Sequence, residues 1–188
     1  MNTISDDFST LFNVLWYRDF PLAHGLKERG RRAEWTTHIG ICVRSAADLL
    51  GYFTHFESGI RTDAVIRDSE KTQIANVEWE WTQPRVKGFN ELEKLFSCKE
   101  KAQFSVLVTY SRDEHHEENL KILKQQWGKS KQLLLVFFIR FGIKKGRQFG
   151  DLETYQVQNG KVILVRAQPA LPWERKGTRW AKLTENDG

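Results

Sequence analysis

Apolar positions along this chain recur with two different periods, and the switches between them lay out its elements. Asp6 and Asp7 precede Phe8, Leu11, Phe12, Leu15 and Trp16, whose spacing of three and four predicts a helix with acids in its first turn, ended by Pro21 and Gly25. A charged connector from Leu26 to Arg32 leads to a second helix, in which Trp35, Ile39, Val43, Ala46, Ala47 and Leu50 keep helical spacing as far as Gly51. From there the period falls to two. Tyr52 to Phe56, Arg61 to Arg67 and Ile74 to Trp81 read as strands of a meander, joined by turns at Ser58-Gly59 and at Asp68 to Thr72 and closed by Pro84.

Asn90 with Glu93 has the form of a capping box ahead of Leu92, Leu95 and Phe96, which predicts a short helix. Gln103 to Tyr110 alternates as a strand. Glu117 to Trp127 then carries Leu120, Leu123 and Trp127 on one helical face and stops at Gly128. Leu133 to Ile139 is a continuous apolar run, the pattern of a strand covered on both faces. Asn159-Gly160 between Thr154 to Gln158 and Lys161 to Arg166 signals a terminal hairpin. The tail, with Pro169, Pro172, Trp173 and Trp180, is irregular and is expected to wrap the body or an adjacent partner. No internal repeat or low-complexity tract interrupts this order, which predicts an α/β fold with a single mixed sheet flanked by helices.

Composition narrows the class. With 188 residues, 40% of them hydrophobic, the chain suffices for one filled core and is short for two, so residues 1–188 are expected to form a single domain. Lys and Arg outnumber Asp and Glu by 29 to 24, a modest excess that favours a polyanionic partner. Cys42 and Cys98 lie far apart with no metal-ligand spacing, so neither a zinc site nor a disulfide framework is indicated. No leader pattern and no apolar run of membrane-spanning length is visible, and a reduced, cytoplasmic setting without a membrane is expected.

The chemistry gathers in the meander. Glu78 and Glu80 share one strand face, with Val77, Trp79 and Trp81 on the other, and Asp63 on the preceding strand is placed to join them. Three carboxylates in one place repel unless something neutralises them, and a hard divalent cation with oxygen ligands does so. The same alternation also describes a half-solvated strand whose two glutamates face water. Glu57 reads as a solvated turn residue. His115-His116 reads as a helix start, since adjacent helical residues do not face one another. Trp79 and Trp81 point away from the acids in this pattern and are expected to pack in the core. The chain has no glycine-rich phosphate loop and no Gly-x-Ser-x-Gly, which leaves nucleotide hydrolysis and serine esterase chemistry without support.

A helix ahead of a meander whose second and third strands bear Asp63 and then Glu78-x-Glu80 resembles the PD-(D/E)xK nuclease superfamily, over roughly residues 34 to 140. The resemblance implies a restriction-endonuclease-like core of order αβββαβ at 34–140, with residues 1–33 as an N-terminal helical extension and 141–188 as a C-terminal hairpin and tail. It implies a Mg²⁺-dependent nuclease, with Mn²⁺ as substitute, that cuts DNA, duplex or branched, as an endonuclease. Asp63 and Glu78 would be metal ligands, with Glu34 at the start of the core helix as a further one. Glu80 stands where the family usually has lysine and would orient or deprotonate the attacking water. A lysine supplied from elsewhere, such as Lys87 or Lys94, is the alternative. Lys129, Lys131, Lys144, Lys145 and Arg147 are candidate phosphate contacts, Arg61 shares the face of Asp63, and cutting both strands suggests a homodimer or a larger nucleoprotein assembly. The competing expectation is a catalytically inactive protein of the same fold, acting as a nucleic-acid-binding or assembly module.

Overall fold

A computed structural model describes residues 3–21, 32–58, 62–143 and 148–181. The first helix, α1 (Ile4–Leu15), starts two residues earlier than the apolar stripe suggests, because Thr3 and Asp6 form a reciprocal capping box. It is followed by α2 (Arg32–Leu49), and then by β1 (Phe53–Ser58), β2 (Thr62–Arg67) and β3 (Gln73–Glu80). After α3 (Glu91–Cys98) come β4 (Phe104–Arg112), α4 (His116–Trp127), β5 (Leu133–Gly142), β6 (Gln148–Gln158) and β7 (Lys161–Pro169). Asn90 does precede α3, but its side chain makes no capping bond; the Glu91 carboxylate accepts from the Asn90 N–H instead, at 3.0 Å.

Among the described residues the strands form one mixed sheet of seven in sequence order, β1 to β7. β3, β4 and β5 run parallel through the crossovers α3 and α4, and every other neighbouring pair is antiparallel. The parallel strands lie in the middle and are covered on both faces, which is why β5 needs no polar face.

Two apolar layers result. On one face α1 and α2 pack against the sheet, with the Phe12 ring tilted against Phe137 at 4.1 Å and Trp35 beside Phe149 at 5.2 Å. On the other, α3 and α4 set Leu92, Leu95, Leu123 and Trp127 against Leu107, Val136 and Phe138. The tail does wrap the body: the Trp16 indole donates to the Ala170 carbonyl at 2.8 Å, and the Tyr17 hydroxyl to that of Pro169 at 2.6 Å. β7, at the edge, exposes Ile163, Leu164 and Val165. Among the described residues no helix is long and apolar enough to cross a membrane.

Candidate active site at the fork between β2 and β3

The sheet opens where the acids sit. β2 pairs with β3 from Arg67 opposite Gln73 to Ala64 opposite Val77, and the register ends there. β2 nevertheless stays with β1 as far as Thr62, and β3 stays with β4 as far as Glu80. The two strands therefore diverge at Asp63, next to Glu78. The gap is bridged by the Asp63 carboxylate, which accepts the backbone N–H of Trp79 at 2.8 Å. A strand N–H that lost its ladder partner is satisfied by a side chain, which fixes where that side chain points.

Glu78 lies on the sheet face covered by α3 and is fully buried. Helix α3 turns Leu92, Leu95 and Cys98 toward the sheet, and Asn76, on the same face of β3 as Glu78, ties its end by donating to the Cys98 carbonyl at 3.2 Å. Lys94 extends from the helix to the carboxylates: its Nζ is 3.6 Å from Glu78 Oε2 and 3.4 Å from Glu91 Oε1. Neither oxygen of Glu78 has a hydrogen-bond partner. Burial, and then the neighbouring Asp63 carboxylate, push Glu78 up to about 8, with Lys94 opposing. Asp63 is also raised by burial, against the Trp79 N–H. On Lys94 burial works against the charge, but Glu78 and Glu91 outweigh it, and the ammonium is held above its ordinary value.

The structure thus brings together Asp63 and Glu78 of the expected residues, with Lys94. Glu80 behaves differently. Its Oε1 accepts the N–H groups of Trp81 and Thr82 at 2.6 and 3.2 Å, so this carboxylate closes the end of β3. Glu34 sits exposed in the first turn of α2. Among the described residues no group of three or more His, Cys, Asp or Glu is arranged to hold a metal. Lys87 is exposed in the segment before α3. Lys129 and Lys131 are exposed ahead of β5, whose Leu133 is in register with Phe104 and, through it, with Ala75. At about 3.3 Å per residue, that places Lys131 roughly 16 Å back along the strands from the level of Glu78, toward the opposite end of the sheet. Lys144, Lys145, Arg147 and Arg61 lie outside the described residues.

A second polar cluster went unanticipated. His116, the first residue of α4, is buried with its Nδ1 2.8 Å from Ser111 Oγ and its Nε2 2.9 Å from the Tyr155 hydroxyl and 3.1 Å from Glu153 Oε2. Asn119 donates to Ser111 Oγ at 2.9 Å, so the tautomer that satisfies every partner has Ser111 donating to Nδ1 and the proton on Nε2. Arg140 grips both oxygens of Glu153 at 3.0 and 3.1 Å. The order serine, histidine, acid is that of a nucleophile and its base, but Ser111 is fully buried, and the cluster serves to join α4 to β4, β5 and β6. Its members come from four elements, and the only sequence signal was the His-His pair itself.

No family model matches the chain, and no curated protein does. Among solved structures the chain is similar to the YaeQ protein from Xanthomonas axonopodis pv. citri, at 10% identity over 79% of this chain and 84% of that one, with a TM-score of 0.37. It is also similar to the YaeQ protein from Pseudomonas syringae, at 11% identity over 89% and 78% of the two chains, with a TM-score of 0.28. Scores this low carry no weight for fold or chemistry, and the site stands on its own geometry.

Proposed function

We propose that this chain is a divalent-metal-dependent nuclease that hydrolyses phosphodiester bonds in DNA at the β2–β3 fork. One observation carries the reading: Glu78 is fully buried and lies against the Asp63 carboxyl, with Lys94 Nζ 3.6 Å from its Oε2. Two acids buried side by side are costly to ionise together, and a cation shared between them removes that cost. The order of α2, the antiparallel β1–β2–β3, α3 and the parallel β4 agrees with the αβββαβ core of the PD-(D/E)xK superfamily and supports the same assignment.

Asp63 and Glu78 are the residues that would hold Mg²⁺ or Mn²⁺. A divalent ion there supplies neutralisation of the phosphate charge and a more acidic water. The Trp79 N–H fixes the Asp63 carboxylate, so one oxygen-bearing arm is set before anything binds. Glu78 would serve as an ionised carboxylate when such an ion is bound. Lys94 keeps its charge and so stabilises negative charge that develops on the phosphate, taking the part of the lysine absent at Glu80. Glu80 is assigned to closing β3.

The test is nicking of supercoiled plasmid with Mg²⁺ or Mn²⁺. Wild type is expected to cut, and Asp63→Ala and Glu78→Ala are expected to lose at least about 10³-fold in rate, on the scale of a lost transition-state electrostatic contact. Equal cutting by wild type and both variants would overturn the assignment. A binding or assembly role without cutting is favoured by one observation: two acids converge here, and no three-acid group forms among the described residues. Tight DNA binding with no cutting of duplex, single-stranded or branched substrates would select it.

A further inference from the structure

Where β2 leaves β3, Asp63 lies against the buried Glu78 and also lines a cavity on the α2 side of the sheet. On the side away from Lys94, Asp63 contributes to a cavity of about 370 Å³ walled by α2 through Thr36, Gly40 and Arg44, and by Phe56 and Trp79. This volume falls in the range of small-molecule sites. Its walls are aromatic where its rim is charged. Phe56 meets Trp79 edge-on at 6.3 Å, and the Arg44 guanidinium stands 5.9 Å from the Phe56 ring. Gly40 leaves the α2 wall open: a Cβ there would already reach the Phe56 ring at 3.6 Å. Glu57, in a left-handed conformation with φ of 49°, adds an acid to the rim opposite in sign to Arg44.

We propose that this cavity holds one unpaired nucleobase of the strand whose phosphate lies at Asp63 and Glu78. The position of that phosphate rests on the nuclease reading; the character of the cavity does not. Among the described residues, a free phosphate would meet two acids, Asp63 and Glu57, for one arginine. A flat heteroaromatic ring suits the site better, because its face stacks on Trp79 or Phe56 while its polar edge meets the mixed rim. A base inside a duplex cannot enter, since its edge is occupied by its partner and its faces by its neighbours. The substrate class that follows is single-stranded nucleic acid, or a duplex carrying a flap, a mismatch or a junction from which a base can leave the stack.

The test is carried out on the full chain bearing Glu78→Gln, so that nothing is cut. End-labelled single-stranded DNA, RNA of the same sequence and the matching duplex are titrated by fluorescence anisotropy. Single strands are expected to bind at least about tenfold tighter than duplex, and the exposed-site variants Phe56→Ala and Arg44→Ala to weaken single-strand binding by about five- to tenfold while leaving duplex binding unchanged. Gly40→Leu, which fills the cavity, is expected to do the same, and thermal unfolding of each variant identifies any that fails to fold. DNA bound in preference to RNA, or the reverse, names the source of the base. If wild type cuts DNA while all three variants bind single strands as Glu78→Gln alone does, the cavity assignment falls and the nuclease reading stands. If nothing is ever cut but the variants lose single-strand affinity, the cavity assignment stands without it.

Discussion

Lys94 Nζ lies 3.6 Å from Glu78 Oε2, so a helix sixteen residues downstream in sequence delivers to the β3 carboxylate the cation that the strand itself does not carry. Replacing Lys94 by Ala removes the positive charge that, among the described residues, opposes the rise of Glu78. Plasmid nicking in Mg²⁺ is expected to fall by about 10²–10³-fold, with DNA binding nearly unchanged and Lys94→Arg partly active. Full activity of Lys94→Ala would assign the helix a packing role only.

Glu80 offers a contrast on the same strand. Because its carboxylate is spent on the Trp81 and Thr82 N–H groups, Glu80→Gln is expected to retain nicking within about tenfold of wild type, and to cost no more than about 1 kcal/mol of stability. Single-turnover rates beside those of Asp63→Ala make the comparison. A loss as large as that of Asp63→Ala would return Glu80 to the reacting water.

Metal binding should be visible without substrate. Glu78 is raised to about 8, so the ordinary value near 4.5 in the unfolded chain lies below it, and its contribution to stability is full below pH 4.5 and lost as pH rises through about 8. A cation held by the ionised pair reverses that loss. Mn²⁺ is therefore expected to raise the melting temperature more at pH 8.5 than at pH 6, by several degrees at saturating metal, and to leave Glu78→Gln unmoved. The same shift in Glu78→Gln as in wild type would put the ion elsewhere.

The Glu153 carboxyl titrates the other way. Burial would raise it, but the hydrogen bonds from His116 and Tyr155, with the Arg140 charge, hold it down at about 2. Its contribution is present above pH 4.5 and disappears as pH falls through about 2. Glu153→Gln is expected to lower stability at pH 7 by about 2–3 kcal/mol and to narrow the gap to wild type below pH 3, in urea unfolding at both pH values. A gap independent of pH would mean that packing, not charge, is what Glu153 provides.

The alternation of strands made the pairing of Asp63 with Glu78 legible, since period two fixes which side chains share a face. It could not show that β2 leaves β3 at that point. Trp79 and Trp81 both pack, partly buried, against the core as the pattern requires, Trp81 stacking on Tyr110 at 4.6 Å, and the fork lets Trp79 line the cavity as well. Strand patterning likewise did not register that β3 ends at Glu80, whose carboxylate accepts the N–H groups just beyond it. Lys94 was legible as a nearby charge, and its reach became definite only with the face that Leu92 and Leu95 impose on α3. His116 and Glu153 met through contacts 37 residues apart in sequence, where no local spacing applies. Lys129 and Lys131 were read from charge alone, and the register of β5 sets them at the far end of the sheet. Neutralising both is expected to leave the salt slope of DNA binding unchanged, against a fall of about two units if each held a phosphate.

Because each strand pairs with its neighbours in sequence, the sheet can assemble in the order in which a ribosome releases it. Helix α1 departs from that order, since it precedes every strand yet leans on Phe137, Thr154 and the carbonyl of Ala170. Phe12 of this helix and Trp16 just beyond it are fully covered only once β5 and the segment after β7 have emerged. Nascent chains of this protein should therefore attract chaperones through that helix, whose seating completes the cover of the sheet's α1 face.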